Sequence, residues 1–336
     1  MNAVTLENFR QLLCSLGDAI RSHVTEKRLL LNTETLASVS HCSSADTIYE
    51  IDKFGEEAIR NWFEARWPAF EPVEVVMEGP EETICFPQGT ARSDTKWKCL
   101  IDPIDGTRGI MYDKRSAWAL SGIAPQRGEK TRLSEILVAA MTELPTSKQW
   151  RADQVSARRG GGLVARSVNI LDGSSAALSL VPSTARNFRH GFAWMAKFFP
   201  EGRALTSRIE ERLWDELIGL GRDASPTVFD DQYICSGGAF YELLAGHDRM
   251  IGDLRPLVLA KLDLGSSLVC HPYDVVAALL LAEAGVVYEH PFGGFPDAPM
   301  DTTSGIAWVA YANSTLADLA RPVLRRVLQK SLSEGL

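Results

Sequence analysis

With 336 residues, 45% of them hydrophobic and 23% charged, the chain has the length and make-up of a two-part α/β protein with a sizeable core. Its formal charge of −8 argues against general nucleic-acid binding, which wants a basic face. Any anionic ligand must therefore be drawn in locally, against the overall field.

Cys14, Cys42, Cys85, Cys99, Cys235 and Cys270 are scattered without C-x-x-C spacing, the pattern of free thiols in a reducing compartment. Residues 1–17 carry Glu7 and lack a basic start followed by a long apolar run, so no secretory signal is read there. No segment reaches the ~18 uncharged apolar residues of a membrane span. A cytoplasmic protein without a membrane partner is expected.

The spacing of Phe9, Leu12, Leu13, Leu16, Ile20 and Val24 predicts a packing helix over residues 6–31. Residues 40–46 read as a polar loop. Ile51, Phe54, Ala58, Ile59, Trp62 and Phe63 predict a second helix over 51–66, stopped by Pro68. Asp52 lies near its start, where the helix dipole favours a carboxylate. Residues 73–77 then read as a strand ending at the acid Glu78, with Glu81 and Glu82 following Pro80 as substitutes for it.

The densest stretch is residues 96–107. Trp97, Cys99, Leu100 and Ile101 alternate with lysines as a strand, which a Pro/Gly cluster ends. Pro103 holds the preceding Asp102 extended at the strand tip. Asp105-Gly106 reads as a turn in which Gly106 is free to take a positive φ. Two carboxylates aimed into one small space repel unless a proton or a cation sits between them. Hard oxygens without His or Cys suit Mg²⁺ better than zinc. Taken alone, the same residues also read as a polar turn with Asp105 capping the next segment.

Beyond it, residues 117–124 and 135–141 continue the sheet, and Arg158 to Gly162 form a hairpin turn. Residues 169–231 are the least readable. They hold a strand over 178–181, an apolar run over 193–199 ended by Pro200, and an amphipathic helix over 206–220. Arg186, Arg189 and His190 gather in a loop, either solvated or set to contact a substrate anion. Ser236-Gly237-Gly238-Ala239 opens an apolar helix stopped by Gly246; its amides could meet an anion, or its small residues could allow close packing. Asp274 precedes an apolar helix over 275–284 closed by Gly285, and makes a good N-cap.

The string Asp102-Pro-Ile-Asp105-Gly-Thr107 is similar to the signature of the inositol monophosphatase family, in the superfamily of metal-dependent, lithium-sensitive sugar and nucleotide phosphatases. Asp52 ahead of Trp67-Pro68, Glu78 at a strand end and Asp274 before a helix fall in that family's order. Met77-Glu78-Gly79 stands where the family has Gly-Glu-Glu, Tyr273 replaces its Trp, and Val286 its second Gly.

The resemblance implies an α/β fold of alternating α and β layers, with an N-terminal α+β part (1–165) and a C-terminal α/β part (166–336). It implies two or three Mg²⁺ ions, Glu78 and Asp102 holding one and Asp102, Asp105 and Asp274 a second, with the Ile104 carbonyl as an extra ligand. Asp52, Thr107 and Glu78 take the catalytic roles, the Thr–Asp pair orienting and deprotonating a water. Gly106, Thr107, Arg108, Ser236, Gly237, Gly238 and Ala239 lie on the substrate side. The implied reaction is phosphomonoester hydrolysis of inositol monophosphate or a similar sugar phosphate, by a homodimer. Arg108, with Lys114 and Arg115 after it, resembles instead the branch that hydrolyses 3′-phosphoadenosine 5′-phosphate, whose second phosphate needs a counter-charge. A catalytically silent relative that binds a phosphate ligand or a partner protein is the reading from another class.

Overall fold

Strand-period alternation builds the frame of the molecule. The computed structural model describes residues 3–31, 33–42, 47–79, 83–221, 227–265 and 269–333. Residues 43–46 of the expected loop, Glu81 and Glu82, and the Cys42 side chain lie outside them. An eight-stranded sheet runs, in spatial order, Ser175–Leu178, Leu163–Asn169, Arg151–Arg158, Val138–Leu144, Ala117–Pro125, Trp97–Asp105, Val73–Met77 and Ile84–Phe86. Its pairs are antiparallel except Val73–Met77 with Trp97–Asp105, whose parallel register sets Met77 beside Ile101.

Val75, Cys99, Ile101, Ala119 and Ala140 face the helices Ala3–Leu30 and Glu50–Arg66, meeting Phe9, Leu13, Leu16, Ile20, Ile59 and Phe63. Val76, Leu100, Trp118, Leu120 and Met141 face the other way, onto Phe240, Leu244 and Val276. Both faces are thus covered, and every residue of Trp97–Asp105 is buried. That includes Lys98, which lies in register with the buried Glu74; burial lowers its pKa.

A second sheet of five strands follows in the order Val228–Phe229, Gly191–Met195, Asp248–Asp253, Trp308–Tyr311 and Val287–Glu289. The helices Ser236–Leu244 and Leu279–Glu283 fill the space between the sheets. Arg203–Ile218 and Ser314–Ser333 cover the far side. The order is helix, sheet, helix, sheet, helix, and the alternating layers expected from the sequence are present. The first sheet continues through Leu163–Asn169, across the 165/166 division read from the sequence. No helix among the described residues is long and apolar enough to cross a membrane.

Several boundaries shift for physical reasons. The 40–46 loop begins as a short strand, Val39–Cys42, paired with Thr47–Tyr49. The strand expected over 135–141 opens as a 3₁₀ turn, Leu133–Glu135, and pairs only from Val138. The strand expected over 178–181 is Ser175–Leu178, which ends where it was expected to begin. The apolar run 193–199 is half strand, Gly191–Met195, and half loop. The helix expected over 275–284 is a 3₁₀ turn, Val276–Ala278, followed by Leu279–Glu283. The Arg158 to Gly162 turn joins two adjacent strands as expected, and the Gly160 and Gly162 amides donate to Glu283. The C-terminal elements were not read at all, although Leu316, Ala320, Leu324 and Val327 carry helical spacing and are buried.

The strand Trp97–Asp105 also runs past the tip at which it was expected to stop. Its register against Ala117–Pro125 shifts there: Asp102 faces Leu120 and Asp105 faces Trp118, three steps against two. Proline brings no N–H to the ladder, and Pro103 lies inside this bulge. Residues three apart on a regular strand point to opposite faces. The extra residue cancels that inversion and turns Asp102 and Asp105 to one side.

The helix Glu50–Arg66 sits directly on the bulge. A Cβ added at Gly55 would come 2.6 Å from Cβ of Pro103, a ring with no rotamer to yield. Gly55→Ala is expected to destabilise the chain by about 1–3 kcal/mol, against the gain that alanine normally brings inside a helix. The urea midpoint reads the effect, and an unchanged or raised midpoint would contradict this packing.

Candidate metal centre

The bulge fixes the first two carboxylates. The Ile104 amide donates to Asp102 Oδ1 at 3.0 Å, and the Gly237 amide, at the start of the helix Ser236–Leu244, donates to Asp105 Oδ2. The third carboxylate, Asp274, faces them from the other part of the chain. Asp102, Asp105 and Asp274 each offer an oxygen within 4.8 Å of the others. Glu78 follows Met77 out of the parallel strand, which brings it beside Asp102, and it lines the same cavity.

Asp274 is not the N-cap read from the sequence. Its Oδ2 accepts from the His271 amide at 2.5 Å, and the next turn is capped at Val275 without a side-chain bond. Glu78 and Asp274 are half-buried, whereas Asp102 and Asp105 are 1% and 6% exposed.

Burial is the largest force raising the Asp102 pKa, and the charges of Glu78, Asp105 and Asp274 add to it. Burial and then Asp274 raise Asp105, against the hydrogen bonds from the Gly237 and Ser236 amides. Four carboxyls in this space cannot all ionise without a counter-charge. The donors are hard oxygens, and Ile104 lies in the cavity wall with them. The residues fit a magnesium-type cation.

Beside the cluster, Gly106 takes φ 102°, the left-handed region, and the chain turns into the short helix Thr107–Ile110. Thr107 Oγ1 lies 2.8 Å from Asp52 Oδ1 and 2.8 Å from the Ile104 carbonyl. A hydroxyl has one proton, so it serves one acceptor at a time; engaging the carbonyl with a cation commits that proton to Asp52. Asp52 meanwhile accepts from the Tyr49 amide at 2.7 Å as residue N3 of its helix. One Asp52 side chain thus serves the start of its helix and reaches Thr107 at the same time.

The cavity has a volume of about 80 Å³ and opens to solvent. It is lined by Glu78, Asp102, Ile104, Asp105, Gly106, Thr107, Arg108, Ser236, Tyr273 and Asp274, and also by Phe198, Phe199, Ile234, Cys235, Arg255 and Val269. Of the expected Ser236 to Ala239 segment, Ser236 faces it. The Gly237 amide is spent on Asp105, Gly238 packs against the Tyr233 ring and Ala239 is buried. Arg186, Arg189 and His190 do not line it; the carbonyls of Arg189 and His190 accept from Arg249. Arg115 turns to Asp231, 2.7 Å away, and the Tyr233 ring. Phe199 and Arg255 were missed by the sequence reading. Pro200, which ends the apolar run, was the one local signal for the first, and a lone Arg after a strand gives none for the second.

No family model and no curated protein matches the chain. Its fold is that of the inositol monophosphatases and fructose-1,6-bisphosphatases. The chain is similar to the extragenic suppressor protein SuhB of Bartonella henselae, at 15% identity over 97% of this chain and 98% of that one, with a TM-score of 0.63. It is similar also to Leishmania major fructose-1,6-bisphosphatase in holo form, at 12% identity, 93% and 92% coverage and a TM-score of 0.66. For Mycobacterium tuberculosis SuhB the figures are 14%, 96% and 97%, and 0.60.

The carboxylate cluster makes a signed prediction. In the metal-free chain the raised carboxyls keep protons that the unfolded chain releases, so folding stability falls as pH climbs out of the ordinary carboxylate range. Added Mg²⁺ should remove that fall and displace protons, seen by calorimetry in buffers of different ionisation enthalpy. A metal-free melting temperature that rises over the same interval would contradict it.

Proposed function

We propose that the chain is a Mg²⁺-dependent phosphomonoesterase acting on a small phosphorylated metabolite. The observation that carries this reading is the joining of two devices across Gly106: three carboxylates within 4.8 Å, and the Thr107–Asp52 hydrogen bond of 2.8 Å. Glu78, Asp102, Asp105, Asp274 and the Ile104 carbonyl are the residues to hold the cations. When bound, Mg²⁺ ions neutralise phosphate charge and lower the pKa of water.

The rest is the work of the chain's own residues. Thr107 Oγ1 donates to Asp52 and leaves its lone pairs to accept from a water, which fixes the direction in which that water attacks phosphorus. The water's proton leaves through Thr107 to Asp52, which acts as general base. The Gly106 and Thr107 amides meet the phosphate oxygens. Ser236 and Arg108 stand beside the ester. The leaving group departs on the side away from the water.

The sugar phosphates, inositol monophosphate first, remain the substrates that the sequence resemblance supports. Arg108 in the cavity wall supports the doubly phosphorylated nucleotide as the second reading.

Phosphate release from inositol 1-phosphate, fructose 1,6-bisphosphate and 3′-phosphoadenosine 5′-phosphate, with and without Mg²⁺, tests the proposal. At least one is expected to turn over only with the metal. Asp105→Asn keeps an acceptor for the Gly237 amide, so it should fold normally and lose Mg²⁺-dependent turnover. Thr107→Val should lower kcat by about 10²-fold or more while leaving the melting temperature near that of the parent. Metal binding without turnover of any ester would favour a silent, phosphate-binding relative.

A further inference from the structure

Cys235 stands where three parts of the site meet. Its Sγ caps the helix Ser236–Leu244, accepting from the Gly238 amide at 3.3 Å. Its thiol donates to the Asp105 carboxylate, which also accepts from the Ser236 and Gly237 amides. Its side chain occupies the space beside Gly106, where an added Cβ would lie 3.2 Å from Sγ and 3.3 Å from the Cys235 Cβ. The residue is buried and lines the cavity. The helix therefore fixes the thiol, and the thiol helps to fix Asp105.

The number of donors on Asp105 matters to a cation. A carboxylate has about four lone-pair sites on its two oxygens. The turn 235–237 engages three of them, which leaves about one for the side facing Asp102 and Asp274. An aspartate held in this way can give a cation one oxygen but cannot close both around it. That difference separates the two common hard cations. Ca²⁺ accepts carboxylates through one oxygen or both, in loose geometry, whereas Mg²⁺ demands short, near-octahedral positions. Two of the three donors are backbone amides, which any residue would supply. The thiol is the donor that the sequence chooses.

We propose that Cys235 is a positioning residue that acts through Asp105, holding this carboxylate to single-oxygen contact and so giving the centre a preference for Mg²⁺ over Ca²⁺. The inference rests on the metal-dependent reading of the same cavity. It goes beyond that reading by assigning the choice of cation to a side chain that is not itself a ligand.

Calorimetric titration of the metal-free chain with Mg²⁺ and with Ca²⁺ tests this without recourse to turnover. Cys235→Ala removes the donor and keeps both amides, while Cys235→Ser puts an O–H in its place. In Cys235→Ala the ratio of the Ca²⁺ to the Mg²⁺ dissociation constant should fall by about three- to tenfold, the scale of a weak donor on a charged acceptor. Cys235→Ser, with the stronger donor, should hold the ratio at the parent value or above it. Loss of the helix cap alone would lower the melting temperature of Cys235→Ala and leave the ratio where it was, and that result overturns the proposal. A ratio that falls as far in Cys235→Ser as in Cys235→Ala also overturns it, because the bulk of the sulfur and not its proton would then be the cause. If neither cation binds the parent chain, the metal-dependent reading fails and this inference with it. If both bind and the ratio stays unmoved, only this inference fails.

Discussion

The structure depends on a one-residue irregularity in its central strand. A regular strand would send Asp102 and Asp105 to opposite faces, one into each of the two hydrophobic layers that cover the sheet. Pro103, with no N–H for the ladder, stands where the register slips, and the slip brings both carboxylates to one side. The sheet around them is buried on both faces, so the pair has nowhere to relax. The cost of assembling charge in such a place is offset by local donors, the Ile104 and Gly237 amides.

From that point the neighbouring elements take their positions. The helix Glu50–Arg66 approaches the bulge through Gly55 and so carries Asp52 to Thr107. The parallel pairing of Val73–Met77 delivers Glu78 next to Asp102. The helix Ser236–Leu244 begins with residues small enough to reach Asp105, which turns a segment that looked ready for an external anion into support for an internal one. Helix-terminal amides favour negative charge wherever it comes from.

The carboxylates and the Thr–Asp pair were legible in the sequence because their residue types and order are informative without coordinates. So were the first two helices and the central strands, whose apolar spacing is regular. What could not be read falls into two kinds. Lys98 reads from the sequence only as one of the lysines alternating along a strand, and its burial shows only once the sheet is covered on both faces. Asp274 looked like a helix cap because capping and cavity-facing carboxylates use the same residue before an apolar run; the His271 amide distinguishes them. The cavity wall was illegible for a related reason. Phe199 and Arg255 sit in a loop and at the start of a short helix, and they meet only through the second sheet.

The hydrogen bond from Gly237 to Asp105 spans 132 positions of sequence, and Asp274 lies further along still. During synthesis the motif strand therefore leaves the ribosome long before the amide that steadies it or the last carboxylate that completes it. A growing chain carries an acidic hairpin but no finished cage, and acquires one only after the second sheet has docked. The order of manufacture leaves the half-made chain without an assembled carboxylate cluster.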